Sequence, residues 1–303
     1  MKSFLLKLTL FITIALVLLS AFLSRYGGYV DYFYNRFTTP RQFSLIIGDS
    51  KSFQGIKPSI INEELKNKFE LPIYNYSFTL GQMAYGESLL KSIKAKMVEN
   101  TSNALFILSV QPLILAERDK DDFKKGIYFE DEFPPNNMNF PNMNPNIEYL
   151  LKNGNYFHFK SIFKKSSFVH DDGWMEESNL TKDTAVLNSW KKEQVNLYKG
   201  IIKKWKKSQY RLDKLNETVA FLKKHGTVVL VRMPSNKPIL DLEHQFWSDF
   251  DKNMQQISIQ NKVSYFNYTL VKNPFQSYDG VHLDKYGGTE FTKSLCDSIL
   301  SRN

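Results

Sequence analysis

Phe43-Ser44-Leu45-Ile46-Ile47-Gly48-Asp49-Ser50 is an apolar run that stops on a turn tripeptide and leaves a hydroxyl at its end. A short apolar run bounded by Gly-Asp reads as a buried strand entering a sharp turn. A serine held on such a turn exposes its hydroxyl and becomes a nucleophile when a base lies beside it. Asp279-Gly280-Val281-His282, about twenty residues from the other end of the chain, supplies one. A histidine three residues after an aspartate can take a hydroxyl proton while the carboxylate orients its ring. Each half has an ordinary reading as well: Gly-Asp-Ser is a common turn, and Asp-x-x-His often caps a helix. Their order carries the stronger reading, since the serine follows the first strand and the Asp/His pair lies between the last strand and the last helix.

Further strand-like runs fall at Ile73 to Ser77, Ala104 to Val110, Thr227 to Arg232 and Val263 to Asn267. Helical patterns occupy Pro58 to Phe69, Gly86 to Val98, the basic stretch from Lys191 to His225, Leu240 to Gln260 and Lys285 to Ser301. Strands alternating with helices at this spacing predict an α/β three-layer sandwich with a five-stranded parallel sheet. The runs Leu45 to Ile47, Leu105 to Leu108 and Val228 to Val231 suit strands covered on both faces. Ligands of such sheets bind beyond the carboxyl ends of the strands. Ser50, Gly81, Gln111, Arg232 and the Asp279/His282 loop all follow strand ends, so this topology gathers them on one edge.

With these residues in place the chain resembles the SGNH, or GDSL, hydrolase superfamily, whose members carry an early Gly-Asp-Ser and a closing Asp-x-x-His. The resemblance implies a flavodoxin-like fold and a serine acyl-transfer mechanism. It extends to Asn75-Tyr76-Ser77-Phe78-Thr79-Leu80-Gly81, where Gly81 stands in the place of the glycine whose N–H helps form an oxyanion hole. Ser109-Val110-Gln111 stands where the superfamily has Gly-x-Asn, and Lys51 replaces the leucine that often follows the nucleophile. The resemblance covers roughly residues 43 to 111 and 227 to 300. It implies Ser50, Asp279 and His282 as catalytic residues and Ser50, Gly81 and Gln111 as oxyanion donors. Asp49, next to the nucleophile, is better suited to shaping the turn than to serving as the triad acid. Arg232 is placed to grip a substrate carboxylate or sugar hydroxyls, or else to bond nearby carbonyls.

A chain of 303 residues with 42% hydrophobic content can bury one substantial core, and one large domain is expected over residues 26–303. Residues 1–25 read differently. Phe4 to Leu23 holds Lys7 as its only charge, about 30 Å of helix and long enough to span a bilayer. No convincing cleavage site follows, with Leu19-Ser20-Ala21 the best, so an uncleaved anchor is favoured over a signal peptide. Either reading exports the domain. The expected location is a bacterial inner membrane, single-pass, with the domain facing the periplasm or cell exterior. The single cysteine, Cys296, excludes an intrachain disulfide and sits on an apolar helix stripe as a core residue.

The net charge of +9 is concentrated. From Lys191 to His225 there are eleven Lys or Arg against three acidic residues, a surplus of eight. Apolar residues recur there at three- and four-residue spacing, so the segment reads as one amphipathic helix or two with a solvated basic face. Anionic lipid or acidic polysaccharide is the alternative partner, and nucleic acid is not expected of an exported chain. Residues 112–190 form an insertion. Phe133 to Asn155 holds eight asparagines and four prolines, which favours turns, while the aromatics of the insertion, Tyr149, Tyr156 and Phe163 among them, argue against plain disorder. Such a loop serves as a lid or substrate wall, or decorates the surface. His170-Asp171-Asp172 cannot easily converge on one ion, and neither a metal nor a cofactor is expected.

A membrane anchor ahead of such a domain resembles the proteins that add or remove acyl groups on envelope polysaccharides. That resemblance implies a membrane-anchored serine esterase or O-acyl transferase acting on cell-envelope polysaccharide, with a multi-pass membrane acyltransferase as acyl donor in the transfer case. A non-catalytic glycan-binding or scaffold protein on the same fold is the alternative.

Overall fold

Three strands of the sheet, two central and one at its edge, are built wholly from buried residues. β1 (Ser44–Ile47) and β3 (Ala104–Ser109) are buried at every position, as is the short β2 (Ile73–Asn75) beside them. The computed structural model of the chain describes residues 1–26, 31–153, 167–271 and 275–302. With β4 (Gly226–Arg232) and the edge strand β5 (Ser264–Asn267) these strands form one five-stranded parallel sheet in the order β2-β1-β3-β4-β5. The register runs Leu45 to Tyr74 and Phe106, Leu108 to Leu230, and Leu230 to Tyr265. This is the flavodoxin-like, doubly wound order, with its reversal beside β1. The five sequence runs match these strands to within two residues at each end.

Alternation along the strands divides the core into two. Leu45, Ile47, Phe106, Leu108, Val228 and Leu230 face one side, where α5 (Glu87–Lys96), α8 (Gln209–Leu222) and α10 (Phe250–Asn261) cover them. Ile46, Leu105, Ile107, Val229 and Val231 face the other, under α3 (Ser50–Gly55), α4 (Pro58–Glu64) and α11 (Lys285–Leu300). Each such Leu, Ile or Val adds about 1.5–3 kcal/mol when fully buried, so the two faces dominate the stabilisation of the layers. Cys296 belongs to the second face, where burial raises its thiol to about 12. A third apolar cluster of Leu113, Tyr198, Ile239, Leu242 and Val281 joins α7 (Thr184–Ile202) to α9 (Lys237–Phe246).

Two expected helices differ. α4 ends at Glu64 rather than near Phe69, because Asn67 turns into the left-handed region at φ 67. The pattern from Leu240 to Gln260 breaks into α9 and α10. Trp247 leaves helical geometry there, buries its ring against Phe250 and donates its indole N–H to Asn253 at 2.9 Å. The basic segment is two helices, α7 and α8, parted by Lys206–Lys207, which pairs antiparallel with Ala116–Glu117.

The described residues of the insertion are mostly irregular, with the helix α6 (Ile147–Asn153), a hairpin of Ser167–Val169 with Met175–Glu177, and the start of α7 inside its expected bounds. Tyr156, Phe157, Phe159 and Phe163 lie outside the described residues. His170 bonds Glu176 at 3.1 Å and stacks on Trp174, while Asp172 accepts the Trp174 N–H. Near the N-terminus, α1 (Lys2–Tyr26) contains a 22-residue stretch, Lys2–Leu23, of mean hydropathy 2.4, long and apolar enough to cross a membrane, and α2 (Tyr34–Thr38) follows.

Candidate active site

The turn after β1 is made by two residues of the tripeptide itself. A Cβ on Gly48 would lie 2.4 Å from Ser52 Oγ and 2.5 Å from the Ser109 Cβ, so only glycine lets the chain pass β3 here. Asp49 then caps α3, accepting the Lys51 N–H at 3.1 Å. Ser50 is the first helical residue. Its N–H has no intrahelical acceptor, and its hydroxyl faces the loop before α11.

That loop is shaped by Asp279. Its Oδ1 accepts the N–H groups of Val281 at 2.9 Å and His282 at 2.8 Å, and Gly280 turns the chain at φ 89, a conformation that favours glycine. Asp279 Oδ2 lies 2.6 Å from His282 Nδ1, and His282 Nε2 lies 2.8 Å from Ser50 Oγ. Burial opposes the charge on Asp279. The bonds and charge of His282 and the backbone N–H groups outweigh it, holding the carboxyl below its ordinary value. An ionised Asp279 keeps the proton on Nδ1 and leaves Nε2 free to accept the serine proton. Tyr278 stacks on the imidazole at 6.0 Å between centroids and is fixed by its hydroxyl to Gln54 at 2.7 Å.

Ser50 and His282 open into a cavity of about 380 Å³ that Gly81 and Gln111 also line, with Phe33, Leu197 and Tyr198 as apolar wall. This volume falls in the range of small-molecule sites. Gly81 lies on a loop braced from the insertion: the buried Arg118 guanidinium donates to the carbonyls of Leu80 and Met83, each at 2.7 Å. Gln111 reaches the cavity, but its Nε2 donates to Asp49 Oδ2, so it steadies the capping carboxylate rather than standing free for an oxyanion. Burial raises the Asp49 carboxyl even so, against the lowering influence of Lys51 and of these bonds.

Arg232 is not brought to the cavity. Its Nη1 bonds Asp251 at 2.6 Å and its Nη2 bonds Glu243 at 2.9 Å, so both arms are paired inside the protein. The expected substrate grip is replaced by an ion-pair network. Glu243 also takes Lys51 Nζ at 2.8 Å, which explains the lysine after the nucleophile: a buried cation there has a buried carboxylate waiting on α9.

Sequence reasoning missed Gln194, whose Nε2 donates to Asp279 Oδ2 at 3.1 Å and gives that oxygen a second partner. It belongs to α7, read from sequence only as a basic amphipathic helix. Its one signal is a polar residue next to Val195, close to the apolar stripe. Arg118 and Glu243 likewise stand in stretches without a motif.

No family model and no curated protein matches the sequence. Among solved structures the chain is similar to an aryl esterase of M. smegmatis, at 11% identity and TM-score 0.38, over 85% of this chain and 99% of that one. It is similar also to a carbohydrate acetylesterase from Sinorhizobium meliloti, at 9% identity and TM-score 0.40, over 86% of this chain and 99% of that one. Likenesses of this size assign no role to any residue, and the reading of the site rests on its own geometry.

Proposed function

We propose that the protein is a serine-dependent acyl-ester enzyme, an esterase or O-acyl transferase, that acts on cell-envelope polysaccharide. The observation that carries the reading is the unbroken hydrogen-bonded chain from Asp279 through His282 to Ser50 at the mouth of a cavity. His282 Nε2 takes the Ser50 proton as Oγ attacks the ester carbonyl. The carbonyl oxygen becomes an oxyanion facing the N–H groups of Ser50 and Gly81. Collapse breaks the ester bond, and His282 returns the proton to the departing alcohol. The acyl group, now on Ser50, leaves by the same steps in reverse: water yields an esterase, a sugar hydroxyl yields a transferase, and His282 deprotonates either. In the transfer mode a multi-pass membrane acyltransferase is a fitting donor, since α1 holds the domain near the bilayer.

Polymeric substrate fits a chain whose α1 anchors it in the inner membrane with the domain outside the cytoplasm. Two measurements test this function. Full-length protein in detergent should release acetate from an O-acetylated polysaccharide or a small chromogenic acetyl ester, or move acetyl to a glycan acceptor; none of these occurring contradicts it. Alkaline phosphatase fused after residue 303 should be active in cells, because that reporter works only after export. A well-expressed but inactive fusion overturns the topology.

A further inference from the structure

α7 lines two cavities. It gives Gln194, Leu197 and Tyr198 to the one holding Ser50, and Lys199 and Ile202 to a second cleft of about 500 Å³ between α7, the segment after it and α9. The second cleft gathers Lys199, Lys203, Lys206 and Lys207 around the half-buried rings of Trp205 and Phe246, and no carboxylate is among its lining residues. Of these four lysines only Lys207 has an ion-pair partner among the described residues, Asp249 at 3.0 Å. Lys199, in the last turn of α7, and Lys203, its C-cap, are like charges four residues apart. Lys206 and Lys207 are fixed by the two-residue ladder to Ala116–Glu117. The fold therefore gathers four cations around one concavity, three of them without a carboxylate partner among the described residues, and an anion in the cleft would neutralise them.

We propose that this cleft binds negatively charged sugar residues of a polysaccharide, so that the polymer served by Ser50 is an anionic glycan. The second half of that statement rests on the acyl-ester reading; the first does not. Flat apolar rings beside cations suit the C–H faces and charged substituents of acidic sugars. A basic face that rests on lipid headgroups needs no concavity. Leu197 and Lys203 are about 9 Å apart along the helix axis and on different faces of it, so a polymer rather than a single sugar is needed to reach both cavities.

Titration of the full-length protein in detergent with a hexagalacturonate probe tests the inference. Wild type and Ser50→Ala should bind it equally, more weakly as salt rises. The triple variant Lys199→Glu, Lys203→Glu, Lys206→Glu should bind at least 10-fold more weakly; all three side chains are exposed, and unchanged circular dichroism confirms the fold. Equal affinity of the triple variant, or equal affinity of wild type for uncharged maltohexaose, overturns the proposal. So does lysine-dependent binding to phosphatidylglycerol vesicles without binding of hexagalacturonate, which assigns the cleft to the membrane. Lysine-dependent hexagalacturonate binding by a protein that turns over no acyl ester keeps the glycan site and removes the acyl-ester reading.

Discussion

Ser50→Ala is expected to lower kcat on an acyl ester by about 10⁵- to 10⁶-fold, because serine, histidine and aspartate act as a unit and removal of the nucleophile forfeits nearly all of their effect. What survives is the contribution of the oxyanion donors and substrate binding. Folding should be unaffected. Asp49 rather than Ser50 caps α3, and alanine is a strong helix former. Gln111→Ala should cost less than the 10²- to 10³-fold typical of a lost oxyanion donor, since its amide is bound to Asp49. Kinetics of the two variants on one chromogenic ester check both statements. A Ser50→Ala protein that keeps more than a few per cent of wild-type kcat contradicts the assignment of the nucleophile.

Glu243→Ala is expected to cost about 3–5 kcal/mol of stability, because it strands the Lys51 ammonium in the interior and takes one partner from Arg232. Against a total of about 5–15 kcal/mol that is a severe loss. Lys51 is 2% exposed and cannot turn to water without moving α3 and with it Ser50. The pair also sets a pH dependence. Burial opposes ionisation of Glu243, but Lys51 and Arg232 prevail and hold its carboxyl below the ordinary range. A carboxyl whose folded pKa lies below its unfolded value of about 4.3 contributes in full above that value. The contribution disappears as pH falls through the folded pKa. Urea unfolding should thus show a wide stability gap between wild type and Glu243→Gln at pH 7 that narrows steadily below about pH 4. A gap of the same size at pH 7 and in acid would contradict the buried ion pair.

The strands were legible because apolar runs such as Leu45-Ile46-Ile47 have a single use in a protein with this β/α alternation. The Asp279–His282 pair was legible because the spacing itself sets the geometry: one carboxylate three residues back reaches both the backbone N–H and the ring. Partners far apart in sequence left no trace. Gln194 meets Asp279 across 85 residues, and Lys51 meets Glu243 across 192. The partners of Arg232 were hidden for the same reason: its carboxylates arrive on α9 and α10, and nothing near residue 232 announces them. The break at Trp247 reflects tertiary burial of one indole overriding a continuous helical pattern. In the insertion, order comes from long-range ion pairs. Arg211 on α8 binds Glu130 and Asp121 together, and no regular element advertises it.

The central claim, that Asp279 and His282 activate Ser50, is tested most directly by reaction of the full-length protein with a fluorophosphonate probe followed by peptide mass spectrometry. A single phosphonyl adduct on Ser50 is expected, formed with loss of fluoride, absent from Ser50→Ala and much slower in His282→Ala. A wild-type protein that stays unlabelled, or carries its adduct elsewhere, contradicts the account and leaves a non-catalytic glycan-binding protein on this fold.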